Sequence, residues 1–224
     1  MSKVAWVVFH LFIATLISSG ETRAALFDRD GKKLPEAEVN GSPVNWEFVR
    51  QSSPAQYLST GKLIPKGCTA VLVEMGGPIY ALTNGHCISK KSFERGSAPK
   101  IEFATFDRPE SKMEISVKGV LYSSIYGTDL AVLQLDQSPI SIRSLGFSPL
   151  RLRKLPPTVG ESLTMVSVPQ EGIDPRNQFP RFSRCQMDRV VDIGEDDYFF
   201  LSSLAHRCSA AGGSSGGPLI SEKA

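Results

Sequence analysis

The sequence predicts an all-β protein of the antiparallel sandwich or barrel type. From Cys68 onward, short runs rich in β-branched and aromatic residues alternate with turn signals, and apolar residues seldom recur at helical spacing. A hydrophobic fraction of 41% and a charged fraction of 21% are ordinary for a globular protein and exclude general disorder. At 224 residues, the chain is long enough for one large domain or two small ones.

The first residues of the chain indicate export. Lys3 precedes an apolar run of fourteen residues, Val4–Ile17, and small or polar residues follow. This pattern is typical of a secretory signal peptide, with cleavage after Gly20 or Ala24. An uncleaved anchor is the alternative, but the run is shorter than the ~20 residues that a membrane helix needs. We predict a signal peptide over residues 1–24, a secreted or periplasmic protein, and no stable membrane span after its removal.

The rest of the chain divides into an arm and two β-units. Residues 25–60 are rich in Gly, Pro, Ser and charge with little periodicity, which predicts a leader or a loosely packed N-terminal arm. A Pro-rich seam near residue 150 separates a first β-unit, residues 61–150, from a second, residues 151–224. The strand-like runs are CTAVLVEM, IYALT, KIEFATF, MEISVKGVLYS and LAVLQL before the seam, and ESLTMVSV, SRCQMDRVVDI and YFFLSSLA after it.

Charge and cysteine content narrow the class of protein. The formal net charge is +2, from 25 basic and 23 acidic residues without a long block of one sign, so we expect no nucleic-acid partner. All four cysteines follow the predicted signal peptide, and an even number in an oxidising compartment indicates two disulfides. No Cys-x-x-Cys spacing occurs, so a zinc site is a poor alternative and we expect no metal.

The stretch ALTNGHC places His86 directly after a predicted strand and before Cys87. A general base must be held at the edge of a cleft with its ring orientation fixed, and a strand end provides that. A bridge from Cys87 to Cys68 would pin this position by closing a loop of 19 residues, a size for which the chain-entropy estimate is ~3 kcal/mol. His10 and His206 lack such a context, and we interpret them as structural or solvated.

An acidic residue begins the strongly apolar run in YGTDLAVLQL. Asp129 either caps a turn or serves a partner that requires its charge, and on this stretch alone the turn interpretation is favoured.

The closing stretch GGSSGGP surrounds Ser215 with glycines. Glycines allow a sharp turn and a close approach of substrate to backbone amides, so the N–H groups of Gly213 and Ser215 could form an oxyanion hole. A Gly/Ser linker is the alternative, but it would not need the strand start Pro218-Leu219-Ile220 or a cysteine seven residues upstream.

Together, LTNGHC, DLAVL and GSSGGP resemble, in order, the histidine, aspartate and serine motifs of the trypsin/chymotrypsin-like serine peptidases, and in detail the bacterial secreted branch. That branch includes glutamyl endopeptidase-like and periplasmic heat-shock proteases. The resemblance covers residues 61–224, with 43 residues from His86 to Asp129 and 86 from there to Ser215. It implies two six-stranded antiparallel β-barrels, the second incomplete, and a secreted endopeptidase that takes peptide or protein substrates without a cofactor. The oligomeric state and cleavage specificity stay open.

The resemblance assigns a role to each of the three residues. Ser215 would attack the scissile carbonyl, His86 would take its proton and return it to the leaving amine, and Asp129 would hold the imidazole. GSSGG also satisfies Gly-x-Ser-x-Gly, the nucleophile elbow of α/β-hydrolases. In those enzymes a histidine follows the serine along the chain, and none occurs among the nine residues after Ser215, which excludes that interpretation.

Three departures from the family qualify the resemblance. Many relatives carry Asp or Asn where this chain has Ser214, so activation by a salt bridge to a new amino terminus is not expected. Cys208 lies further from the serine than in the digestive branch, and we predict the bridges Cys68–Cys87 and Cys185–Cys208. Relatives continue for tens of residues past the serine, which predicts a truncated chain that cleaves poorly. The alternative function is an inactive pseudoprotease that acts as a binding protein.

Overall fold

The computed structural model of the protein describes residues 38–39, 42–88, 93, 98–195 and 198–222. The predicted signal peptide therefore lies outside the described residues. Within these ranges, none of the helices combines the length and the apolar character needed to cross a membrane.

Strands dominate the described residues, as the sequence predicts. A short α-helix, Pro139–Ser144, begins at the N-cap Ser138, and 3₁₀-turns cover Tyr57–Ser59, Gly85–Cys87 and Pro175–Asn177. The strands are β1 (Glu38–Val39), β2 (Ser42–Pro43), β3 (Glu47–Phe48), β4 (Thr60–Ile64), β5 (Cys68–Glu74), β6 (Ile79–Thr83), β7 (Lys100–Thr105), β8 (Arg108–Ser124), β9 (Leu130–Leu135), β10 (Leu150–Arg151), β11 (Ser162–Ser167), β12 (Arg181–Glu195), β13 (Tyr198–His206) and β14 (Leu219–Ser221).

The first β-unit is a closed barrel. Its six strands neighbour one another in the order β5, β4, β7, β8, β9 and β6, and β6 pairs again with β5, so that every pairing in the ring is antiparallel. The predicted six-stranded antiparallel barrel is thus confirmed. The short strand β10 adds to the outside of β5 in parallel.

Strand β5 is apolar on both faces because it separates two cores. Ala70 and Leu72 point into the barrel core, while Val71 and Val73 pack against the second unit, where they meet Val166 and other apolar side chains. An unbroken apolar run is expected for a strand that is covered on both sides, in contrast to the alternation of a half-exposed strand.

The second β-unit is a five-stranded sheet. Its strands follow the order β13, β12, β11 and β14, and β3 from the N-terminal arm pairs with the start of β12. Among the described residues, β14 pairs only with β11 and β13 only with β12, so the sheet does not close on itself. This agrees with the incomplete second barrel that the sequence predicts.

The last part of the N-terminal arm is tightly packed, which differs from the loose arm expected from its composition. Val44, Trp46 and Phe48 alternate with exposed neighbours and lie buried against Phe106 and Phe179. Trp46 is only 1% exposed. The sequence signal was missed because the period-2 pattern is short and stands inside a stretch rich in polar and turn residues.

Candidate active site

His86 and Asp129 form a directly bonded pair at one end of the barrel. One carboxylate oxygen of Asp129 accepts a hydrogen bond from the backbone N–H of His86 at 2.9 Å, and the other lies 2.6 Å from the ring Nδ1. The Asp129 side chain is 3% exposed and the His86 side chain 45% exposed. A carboxylate only accepts, so we assign the proton to Nδ1, which leaves Nε2 as the acceptor nitrogen of a neutral ring that is open to solvent.

The turn that carries His86 is shaped by its two preceding residues. Asn84, which is buried, donates from its amide to the backbone carbonyl of Asp129 at 2.7 Å. Gly85 lies so close to the backbone of Ser124 that a Cβ there would collide with its carbonyl oxygen and stand 3.2 Å from Asp129 Oδ1. A glycine is therefore required between Asn84 and His86, because a side chain would collide with the Ser124 backbone and crowd the Asp129 carboxylate.

A disulfide ties the same turn to the neighbouring strand. Cys87 is bonded to Cys68 at the start of β5, and Cys185 is bonded to Cys208 in the second unit. Both predicted bridges are present. Because Cys87 follows His86 directly, the first bridge limits the movement of the histidine relative to the barrel.

The loop that carries Ser215 rests on the start of β5 and on the end of β6, the strand that leads to His86. The carbonyl of Ser215 accepts a hydrogen bond from the N–H of Thr69 at 2.8 Å, and the hydroxyl of Thr83 donates to the carbonyl of Thr69 at 2.7 Å. Gly216 (φ +87°) fits against both threonines so closely that a Cβ would collide with them. Thr83 ends β6 three residues before His86, so the loop and the histidine share one support.

Thr69 also joins the loop to the second sheet. Its hydroxyl donates to the carbonyl of Gly213 at 2.8 Å and accepts from the N–H of Val168 at 2.9 Å. Gly213 has a φ of +96°, a backbone conformation that favours glycine, and a Cβ there would lie 2.9 Å from Val168 O. In the described part of the chain, the N–H groups of Gly213 and Ser215 have no protein acceptor.

Two further residues shape the loop before Ser215. Ser214 is buried; its hydroxyl accepts from Ser167 at 3.1 Å and from the N–H of Ala211 at 3.3 Å. Glu171 accepts the N–H of Gly212 at 3.2 Å through its carboxylate, while its own N–H donates to the Gly212 carbonyl at 3.0 Å. Ser214 thus supports the loop through short hydroxyl contacts, without a charge.

The structure brings the three predicted residues to one region in two different ways. His86 and Asp129 touch each other, whereas Ser215 is linked to them through the strand ends at Thr69 and Thr83. Among the described residues, no hydrogen bond joins the side chains of His86 and Ser215. The resting geometry of a catalytic pair is often longer than the geometry reached with substrate, so this spacing is compatible with a catalytic role.

Sequence reasoning missed several residues that support the site. Thr69, Thr83 and Asn84 are polar residues at buried strand ends, and Glu171 lies in a loop far along the chain. Asn84 stands next to Gly85-His86, which is a usable signal. The other three had none, because their contacts depend on how separate segments of the chain pack together.

Two clusters combine a histidine with two cysteines, as some metal sites do. They are Cys68, His86 and Cys87, and Cys185, His206 and Cys208. In both clusters the sulfurs are bonded to each other, and a metal ligand must be a free thiolate. Neither cluster can therefore bind a metal through sulfur while its disulfide is intact.

Comparisons with known proteins agree with the fold. The thermostable serine protease AL20 from an extremophilic microorganism superposes with a TM-score of 0.53 at 17% identity, over 74% of this chain and 79% of that one. Deg5 superposes with a TM-score of 0.51 at 16% identity, over 75% of this chain and 76% of that one. No curated protein sequence matches the chain significantly. The sequence pattern of the trypsin-like peptidase domain matches residues 68–224, and the chain therefore belongs to the trypsin-like peptidase family.

Proposed function

We propose that the protein is a secreted serine endopeptidase that hydrolyses peptide bonds through His86, Asp129 and Ser215. The observation that carries this proposal is the double hydrogen bond between Asp129 and His86. Asp129 binds both the backbone N–H and the ring Nδ1 of His86, and it leaves Nε2 as the only basic nitrogen of the ring. A histidine held in this way is suited to act as a general base.

The reaction begins with the hydroxyl of Ser215, a weak nucleophile at neutral pH unless a base removes its proton. His86 Nε2 accepts that proton while the serine oxygen forms a bond to the carbonyl carbon of the peptide. The tetrahedral intermediate collapses, the C–N bond breaks, and His86 transfers the proton to the leaving amine. A water molecule then attacks the acyl-serine with His86 as base, which releases the acid and restores the hydroxyl.

The oxyanion of the tetrahedral intermediate would be stabilised by the N–H groups of Gly213 and Ser215. Two observations support this role: both groups are without a protein acceptor among the described residues, and Gly213 adopts a positive φ that orients this part of the loop. Preorganised donors of this kind contribute ~100- to 1000-fold to the rate.

Export is the second part of the proposal. The two disulfides support it, because disulfides persist in oxidising compartments and are rare in reducing ones. The signal-peptide pattern of residues 1–24 supports the same location. Peptides or proteins outside the cytoplasm are then the substrates.

The test is reaction with an activity-based fluorophosphonate, which phosphonylates activated serines with loss of fluoride. The full chain is expressed for export, purified after processing and labelled, and the modified residue is identified by peptide mass spectrometry. We expect the label on Ser215, and we expect its loss in Ser215→Ala and in heat-denatured protein. Ser144→Ala, which removes an exposed serine of the short helix, is the matched control and should label normally.

Two results would contradict the proposal. A folded chain that does not label at Ser215 would favour the pseudoprotease alternative, and labelling that survives Ser215→Ala would place the nucleophile elsewhere. Intact mass analysis of the exported protein tests the localisation, because retention of Met1 would contradict removal of a signal peptide.

A further inference from the structure

The N-terminal arm is bonded to the residue at which the Ser215 loop begins. The Asn45 side chain accepts hydrogen bonds from the hydroxyls of Ser209, at 2.8 Å, and Ser183, at 2.5 Å, and donates to the carbonyl of Arg184 at 2.9 Å. The backbone N–H of Asn45 donates to the Ser209 hydroxyl at 3.2 Å. The indole N–H of Trp46 donates to the Ser209 carbonyl at 3.0 Å. Two consecutive arm residues therefore hold both the side chain and the backbone of Ser209.

The arm also supplies packing to the loop. Trp46 belongs to a buried apolar cluster against which Ala211 packs from the loop side. The guanidinium of Arg181 stacks over the Trp46 ring, 5.3 Å from its centroid, and over the Phe48 ring at 4.7 Å. These contacts place the arm between the start of β12 and the loop, in a position to restrain both.

The loop between Ser209 and Ser215 has only small side chains. Its sequence is Ala210-Ala211-Gly212-Gly213-Ser214, so no side chain in it is larger than a hydroxymethyl group. Glycine loses more backbone freedom on ordering than other residues, and two of them are adjacent here. The conformation of such a loop depends on how its ends are anchored. Thr69 anchors the downstream end, Ser214 and Glu171 hold the middle, and the arm anchors the upstream end together with the bridge at Cys208.

From these contacts we propose that Asn45 and Trp46 are positioning residues for the candidate active site. By holding Ser209 they fix the upstream end of the loop and so set where the N–H groups of Gly213 and Ser215 point. The inference rests on the proposed peptidase function. Ser214 has no charge and therefore cannot order the loop through a salt bridge. The inference assigns that ordering to an internal segment of the arm.

The test combines two variants with two measurements. Asn45→Ala removes the acceptor of the Ser209 and Ser183 hydroxyls, and Trp46→Phe removes one N–H while retaining an aromatic ring. We expect the second-order rate of fluorophosphonate labelling to fall about tenfold or more in each, because part of the oxyanion stabilisation is lost. Hydrogen exchange of the peptide that spans residues 209–217 should accelerate in both variants.

Two further variants separate positioning from loss of stability. Phe48→Leu removes volume from the same apolar cluster but breaks no hydrogen bond to Ser209, so labelling by the folded protein should stay within about twofold of wild type. Asn45→Asp retains an acceptor oxygen for the two hydroxyls but loses the donor to the Arg184 carbonyl, so it should recover only part of the labelling rate lost in Asn45→Ala. All rates are measured well below the unfolding midpoint of the least stable variant.

The outcomes distinguish this inference from the proposed function. If wild type does not label at Ser215, the proposed function fails, and the inference fails with it. If wild type labels and both arm variants label equally fast with unchanged hydrogen exchange, only the inference is overturned. Equal loss of labelling in Phe48→Leu and Trp46→Phe would also overturn it, because the arm would then act through stability alone.

Discussion

The two β-units support the candidate site in different ways. In the closed barrel, His86 is held by Asp129, by a disulfide to β5 and by a turn that starts at the end of β6, all within one unit. In the open second sheet, the Ser215 loop is held from within the unit by Ser167, Glu171 and the Cys185–Cys208 bridge. It is also held from outside the unit, by Thr69 of the barrel and by the N-terminal arm. His86, the proposed base, is held by contacts within one unit, whereas Ser215, the proposed nucleophile, also depends on contacts between the two units.

This difference predicts how a substitution in each half of the site will act. A substitution in the barrel half should change the chemistry of His86 while the fold stays intact. A substitution at a contact between the units should loosen the Ser215 loop and lower stability as well. The predictions below test this contrast, from the largest expected effect to the smallest.

Asp129→Asn should lower kcat for a peptide substrate by about 10⁴-fold, because the amide no longer favours the ring tautomer with the proton on Nδ1. The loss should appear in kcat. The unfolding midpoint should change only as much as replacement of a buried side chain normally changes it. Asp136→Asn, which changes an exposed aspartate at the other end of β9, is the matched control and should be neutral. A kcat within tenfold of wild type in Asp129→Asn would contradict the assigned role.

Thr69→Val should lower the free energy of unfolding by about 2–4 kcal/mol, because the part-buried carbonyl of Gly213 and the buried N–H of Val168 each lose a partner. Urea denaturation measures this. Thr60→Val is the matched control: the Thr60 hydroxyl is also buried but has no hydrogen-bond partner in the described residues, so its removal should not destabilise. Equal effects of the two substitutions would mean that the link between the units contributes nothing specific.

Glu161 makes the stability of the second sheet depend on pH. Burial alone would raise the pKa of Glu161, but hydrogen bonds from Ser221 and Thr158 and the ion pair with Arg153 lower it to about 2, from an ordinary 4.5. A depressed pKa contributes stability that is complete above the unfolded value and is lost as the pH falls from about 4.5 toward 2.

The shift at Glu161 corresponds to about 3 kcal/mol of unfolding free energy between pH 6 and pH 2. Urea denaturation at a series of pH values gives the slope of the unfolding free energy against pH. The slope should include this contribution, and Glu161→Gln should remove it. Glu114→Gln, which changes an exposed barrel residue, should leave the slope unchanged. A wild-type slope retained in Glu161→Gln would contradict the prediction.

The smallest effect is expected on the exposed side of the arm. Glu47 pairs with Arg184 at 2.6 Å, but both side chains are more than half exposed, and such pairs contribute about 0–1 kcal/mol. Glu47→Gln should leave the labelling rate of Ser215 unchanged and lower stability by less than about 1 kcal/mol. A large loss of labelling would mean that the arm acts through its surface charge and not through Ser209.

Much of the fold could be predicted from the sequence because its signals are local. Strand-like runs and turn residues indicated the barrel strands, and an unbroken apolar run marked β5, which is covered on both faces. His86, Asp129 and Ser215 stood out because each lies in a short stretch with its own chemical context. The disulfide pairs followed from the positions of the cysteines on either side of the seam.

The arm and the supporting threonines could not be predicted, for a physical reason. Their partners lie far away in sequence: Thr69 and Gly213 are separated by 144 residues and Asn45 and Ser209 by 164. A hydrogen bond over such a distance leaves no periodic pattern in the chain, because it depends on how two units pack. The composition of the arm even argued against packing, although Trp46 is buried.

The sequence by itself determined the residue types that the candidate chemistry needs, the β character of the chain and the glycines that the tight turns require. Only the tertiary structure decided that Asp129 faces His86, that the second sheet stays open among the described residues, and that Thr69 and the arm hold the Ser215 loop. Local propensity and side-chain chemistry are properties of short segments and can be read along the chain. The orientation of a small, glycine-rich loop is set by its neighbours in space, because it has almost no side chains with which to set its own.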